Sequence, residues 1–291
     1  MTRRKTSLLV AAATALSTVL VTAPAPAVAA EEDLTCRSAA VGVLPNGKML
    51  KRTLENGRQL QVKTTRTELP FRPRTMGYAG WEEIDGGLRE YYLATARDGR
   101  PRFLAVTEKD ARRTMSARVL RFATTGFTPR LMGMGHVGSE LLALEGPVLR
   151  QYKIRSSDNG PVLRNPRVAK RNMDRLKTLS WYSRQRVGGV KTDIYLATTK
   201  AGALLQIRVP VRNPGNTRVI TVKRTGFKPY TGLSLSYCND TPATALIVGV
   251  NARGNLARWF TLERQLAPKA QNLTNHGLAA EGRNWKLRPV L

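Results

Sequence analysis

Apolar residues in this chain come in short runs that alternate with small or polar residues, and they rarely follow helical spacing. Met76-Gly77-Tyr78-Ala79, Met132-Gly133-Met134-Gly135, Leu179-Ser180-Trp181 and Leu233-Ser234-Leu235-Ser236 each set large apolar side chains beside small ones. Period-two alternation predicts strands. Small side chains repeated on one face predict a crowded place, such as strands lining a common axis. Leu34-Thr35-Cys36 reads as the first member of this series.

Other segments recur at wide, regular offsets. Leu93-Ala94-Thr95-Ala96-Arg97-Asp98-Gly99 returns as Leu196-Ala197-Thr198-Thr199-Lys200-Ala201-Gly202, 103 residues on. Val41-Gly42-Val43 with Gly47 returns as Val248-Gly249-Val250 with Gly254, 207 residues on. Two and four repeats then share a period near 52, and Leu142-Ala143-Leu144-Glu145-Gly146 is the middle copy. Each copy is an apolar strand, a turn ending in glycine and a second strand. Tight hairpins need positive φ, which predicts turns at Gly47, Gly99, Gly146, Gly202 and Gly254. Arg118-Val119 before Thr125-Gly126-Phe127, and Arg218-Val219 before Thr225-Gly226-Phe227, mark an outer strand and the link to the next unit.

Each unit thus holds four antiparallel strands, and one such sheet cannot bury both faces alone. Stacking the sheets in a ring solves this. The expected fold is all-β, a five-bladed β-propeller of four-stranded blades, and it resembles the tachylectin-type lectins over most of residues 33–275. That resemblance rests on the repeat and its turn glycines and implies architecture alone. The lectin family's sugar-binding signature has no clear copy here, so its ligand does not carry over. The Gly-His and Trp-Asp marks of WD40 repeats are also absent from the sequence.

The first 30 residues read differently. Arg3, Arg4 and Lys5 precede an uncharged apolar run from Leu8 to Val21, and small residues end the segment at Ala27-Val28-Ala29-Ala30. This is the pattern of a secretory leader cut after Ala29 or Ala30, and the run falls short of the ~20 residues a spanning helix needs. A single propeller domain over 31–291, secreted to the medium or the cell wall and with no membrane span after cleavage, is therefore expected.

Two cysteines, Cys36 and Cys238, are an even number in an exported chain, which suits one disulfide or two separate buried thiols. Ring closure favours the disulfide, because the first and last units become neighbours. Register argues the other way. Cys238 lies about three residues further along its strand than Cys36, roughly 10 Å that the stagger of the sheets must absorb.

The formal charge is +28, and +25 without Arg3, Arg4 and Lys5. Such a field attracts polyanions. The densest basic stretch, Arg164, Arg167, Lys170, Arg171, Arg175 and Lys177 against Asp174 alone, reads as a long outer strand and loop of the third unit. It is a candidate polyanion site or a solvated loop. It has no interleaved aromatics, which counts against specific nucleic-acid binding.

Candidate ligand-binding residues beside the inner strands are Trp81, Trp181, Tyr182, Arg184, Tyr230, Tyr237 and Asp240. Packing between blades is the alternative reading for the aromatics. Catalytic signals are weak. Asp33, Glu82, Glu83, Asp85, Asp174 and Asp240 hold no common register, His136 and His276 are the sole histidines, and no phosphate loop or Gly-x-Ser-x-Gly occurs. No metal or cofactor is implied. The sequence favours a monomeric, non-catalytic binder of glycans or anionic envelope polymers. A polysaccharide hydrolase acting through Asp33, Glu83 or Asp240 is the second reading, and a protein-interaction scaffold the third.

Overall fold

The computed structural model describes residues 35–289, apart from 97, 99–100, 110–113, 121–126, 136–138, 156–160, 240, 252–256, 264–265, 267 and 280–287. The expected leader, Asp33, Asp240, Gly99, Gly126, Gly254 and His136 lie outside the described residues. The body from Leu34 to Leu291 is one compact unit.

It is an all-β propeller. The first sheet unit holds β1 (Arg37–Val43), β2 (Met49–Glu55) and β3 (Arg58–Thr65). The second holds β4 (Pro73–Ile84), β5 (Gly87–Ala96), β6 (Pro101–Lys109) and β7 (Thr114–Leu120). The third runs through β8 (Leu131–Met134), β9 (Glu140–Glu145), β10 (Val148–Arg155) and β11 (Val162–Lys170). The fourth has β12 (Leu176–Val187), β13 (Val190–Thr199), β14 (Leu204–Pro210) and β15 (Arg218–Lys223). The fifth has β16 (Tyr230–Cys238), β17 (Thr241–Asn251), β18 (Ala257–Leu262) and β19 (Leu273–Leu278), and β20 (Arg288–Pro289) closes the chain.

Within the second to fifth units the strands pair antiparallel in sequence order. A short parallel contact, Thr64 with Thr114 and Thr65 with Met115, ties the outer strands of the first and second units together. The third unit's basic stretch is an outer strand and its link, as its composition predicts. Pro166 is accommodated because β11 is an edge strand. Five apolar clusters fill the gaps between successive units. One joins the fifth to the first through Cys36, Leu50, Leu54, Cys238, Leu246 and Val248. Others, around Met76 and Tyr92, Leu93 and Met134, Tyr195 and Leu205, and Leu196 and Ile247, lie between the remaining neighbours. This is how a four-stranded sheet hides both faces.

The first unit departs from the expected register. Gly47 (φ 81°) turns between β1 and β2, whereas Gly146 (φ 55°) and Gly202 (φ 94°) turn between the second and third strands of their units. Thus β1 matches a second strand, and Cys36 begins it rather than an innermost strand. The innermost place is taken by β20, which pairs Pro289 with Gly42 and Arg288 with Val43. Residues 288–289 therefore meet the first unit. Cys36 and Cys238 face each other across an antiparallel bridge and form a disulfide, Cα atoms 4.0 Å apart. Antiparallel placement removes the expected offset: β16 ends where β1 starts.

Candidate functional site

The inner strands meet around an axial cavity of about 300 Å³. Its wall takes residues from all five units: Ala39 and Val41 of β1, Met76 to Tyr78 of β4, Met132 to Met134 of β8, Leu179 to Tyr182 of β12 and Leu233 to Tyr237 of β16. Glu90 and Tyr92 of β5 complete it. The alternation of large and small residues in the sequence is the lining of this space. At Gly133 neighbouring units approach closely, for a Cβ there would lie 2.9 Å from the Tyr195 ring.

The first unit contributes an open strand edge. Cys36 accepts a hydrogen bond on its carbonyl from Asn56 N (2.8 Å), on the β2 side. Strand alternation then turns the main-chain polar groups of Ala39 and Val41 toward the axis. Ser234 Oγ donates to Ala39 O (2.6 Å) from the facing β16. Among the described residues β20 pairs with Gly42 and Val43 alone, and the edge before them adds polar groups to a largely apolar wall.

Tyr78, Trp181, Tyr182 and Tyr237 follow the small residues of their inner strands in sequence and line the cavity together, at one mouth. Tyr237 donates its hydroxyl to Tyr182 O (2.9 Å) and packs edge-on to the Tyr182 ring. Trp181 Nε1 donates to Asp193 Oδ1 (3.3 Å). Arg184 clamps fully buried Asp193 through Nε and Nη2, both at 2.8 Å, and also bonds Glu140. Arg184 is thus committed to two carboxylates within the wall. Burial opposes its charge, but Asp193 and Glu140 outweigh this and raise its pKa.

Across the mouth, Glu90 pairs with Lys51 (2.9 Å) and accepts the Tyr92 hydroxyl (2.9 Å). Lys51 also bonds Glu108, which pairs with Lys63 at 3.1 Å. Burial raises the Glu90 pKa against the pull of Lys51. Burial would raise Glu108 too, but Lys51 and Lys63 prevail and lower it. Burial lifts the Tyr78 phenol, with a further push from Glu90, so it stays a neutral donor.

The remaining candidates scatter. Trp81, 58% exposed, stands above the mouth on the long β4–β5 hairpin with Glu82, Glu83 and Asp85. Glu82 there holds Arg89 (2.6 Å) and Tyr91 (2.8 Å). Tyr230 is buried between the fourth and fifth units against Phe227 and Phe260. His276 stacks on Trp259 at 4.0 Å and shares a hydrogen bond with Thr261 (2.8 Å). Arg164, Lys170, Arg171 and Arg175 are exposed. Arg167 donates to the carbonyls of Val211 and Arg212 and to Gln151. Lys177 donates to Lys228 O (2.6 Å). Among the described residues no cluster of three or more His, Cys, Asp or Glu side chains is placed to hold a metal, and no helix is long and apolar enough to cross a membrane.

Tyr78, Glu90 and Tyr92 were missed as a wall, yet a signal existed. At the 103-residue offset they become Trp181, Asp193 and Tyr195. The second and fourth units thus repeat an aromatic–carboxylate–tyrosine set.

No protein-family model matches the chain, and no curated protein matches it. Solved structures do. A protein provisionally assigned as a 6-phosphogluconolactonase from Bacteroides uniformis shares 11% identity over 84% of this chain and 68% of its own, with a TM-score of 0.37. The WD40 domain of SCAP from fission yeast shares 7% over 85% of this chain and 62% of its own (TM-score 0.33). A subtype N10 neuraminidase-like protein of a little yellow-shouldered bat isolate shares 9% over 74% and 64% (TM-score 0.33). Likeness this distant transfers no activity to the chain.

Proposed function

We propose that the protein is an exported, non-catalytic binder whose axial cavity seats a small ring-shaped ligand, a single sugar unit at the end of a glycan. The observation that carries this is the composition of one mouth: Tyr78, Trp181 and Tyr237 offer ring faces, while Ser180, Ser234 and Ser236 and the β1 edge offer polar groups. A pyranose has both an apolar face and hydroxyl edges. A volume of about 300 Å³ suits one such ring rather than an extended chain. Glu90, the carboxylate in the wall, is bound to Lys51 and Tyr92, which suits a structural duty better than acid–base work. The tachylectin-like repeat favours the same reading, and the leader pattern with the Cys36–Cys238 bond favours an extracellular place.

Titration of tryptophan fluorescence with a panel of neutral monosaccharides and short glycans tests this. Saturable binding is expected, weakened about tenfold (~1.4 kcal/mol) by Tyr78→Ala, which removes a half-open ring. Absence of saturation across the panel, or equal binding by the variant, overturns the reading.

A further inference from the structure

The end of the propeller opposite the aromatic mouth carries a second feature. Three links converge there: 171–175 into β12, the β13–β14 turn at 200–203, and 224–229 into β16. Main-chain hydrogen bonds stitch them together, Lys200 N to Arg175 O (2.9 Å) and Phe227 N to Gly202 O (2.9 Å). Lys177 Nζ reaches Lys228 O (2.6 Å), and Arg130 reaches the carbonyls of Asp174 (2.6 Å) and Leu176 (3.2 Å). Arg130, Arg175, Lys177, Lys200 and Lys228 are so gathered from separate parts of the sequence.

The side-chain hydrogen bonds of Arg130 and Lys177 go to carbonyl oxygens, which satisfy donors without cancelling charge. Asp174 is the lone acidic residue in the three links. Glu145, brought near by Met173 N to Pro147 O (2.8 Å), is occupied by Arg150 and Tyr152. Burial and the Lys228 charge lower the Lys177 pKa, as expected for like charges held together without a counterion. Phe227, the aromatic of the three links, is buried, and the exposed Tyr78 and Trp81 lie in the second unit, toward the other end.

We propose that this face is a second binding site, for a linear polyol-phosphate chain of the cell envelope. Uncancelled cations on a rigid face call for a polyanion. Three lysines present rotatable point charges that suit tetrahedral phosphates, the Arg130 guanidinium is taken by main-chain carbonyls, and the exposed Arg175 adds a fork that fits phosphate oxygens. Among the described residues the face shows no exposed ring on which bases could stack, so a phosphate chain lacking bases fits it better than nucleic acid. The site is independent of the cavity and stands whether or not that cavity binds sugar.

The test measures binding of synthetic poly(glycerol phosphate) to the secreted protein over a range of salt. Affinity should fall steeply as salt rises. Lys200→Glu with Lys228→Glu should weaken it about tenfold or more and shallow the log–log salt slope by roughly two. Both side chains are exposed, so melting temperature and fluorescence titration at the mouth should stay unchanged. Arg186→Glu with Lys191→Glu, on the mouth hairpin, alters net charge equally and should leave binding near wild type. Equal losses in both double variants, no loss in the first, or tighter binding of oligothymidylate or polyglutamate overturns the proposal.

Discussion

Lys51, Lys63, Glu90 and Glu108 form a buried four-charge group between the first and second units, each no more than 8% exposed. Removing one partner leaves another charge buried without its match, a loss of about 3–5 kcal/mol for a pair of this kind. The two carboxylates should respond to pH in opposite directions. Glu108 has a lowered pKa in the fold, so its stabilisation is present above the ordinary carboxylate value and fades as pH falls through the lowered one. Glu90 has a raised pKa, so the fold favours its neutral form and gains stability as pH falls through that raised value. Urea unfolding of Glu108→Gln and Glu90→Gln between neutral and acid pH checks this. The deficit of Glu108→Gln should shrink toward acid, and that of Glu90→Gln should grow. Parallel trends would mean that the two groups titrate as one.

At the scale of elements, the turns between second and third strands do more than reverse the chain. Gly202 sits at φ 94°, and a Cβ there would lie 2.7 Å from Lys228 N, in the link to the next unit. Gly146 has φ 55° and open space around it. Gly146→Ala should therefore cost about 1 kcal/mol from backbone strain. Gly202→Ala should cost ~2–4 kcal/mol, because a main-chain contact must also shift. Midpoints of urea unfolding at constant m-value report the difference. The repeat was legible because these turn glycines and the paired threonines, Thr75 with Thr95 (2.7 Å) and Thr178 with Thr198 (2.9 Å), recur at fixed spacing. The first unit was misread because its innermost strand comes from the other end of the chain, and local pattern carries no trace of such a partner. The cavity was half legible: alternation marked its inner strands, but Glu90 and Tyr92 lie on second strands that the pattern places in the core. Tyr230 looks like a mouth residue in sequence and packs between units instead, because position along an inner strand does not reveal which side of the sheet a ring takes.

For the whole molecule, closure is the critical step. Four joints between units are made by neighbours in sequence, whereas the joint of fifth to first unites residues about 200 apart, as Cys36 and Cys238 are separated by 202. It is held by the apolar cluster of Leu50, Leu54, Leu246 and Val248, the Ser38–Ser234–Ala39 and Thr35–Asn239 hydrogen bonds, and the disulfide. Of these the disulfide alone persists after unfolding, and it restricts the unfolded ring. Loop-closure entropy for a ring this long is worth about 5 kcal/mol at room temperature. Cys36→Ser with Cys238→Ser should therefore still reach the propeller fold, since the cluster and hydrogen bonds remain, but with its urea midpoint lowered by most of that amount divided by m. Reduction of the wild type with dithiothreitol should give the same midpoint, because both treatments release the same constraint. If the serine pair falls well below the reduced protein, two buried hydroxyls rather than chain entropy account for the difference. If neither treatment moves the midpoint, the ring is held by side-chain packing between the fifth and first units, and the sulfur bond is a passenger on a closure already complete.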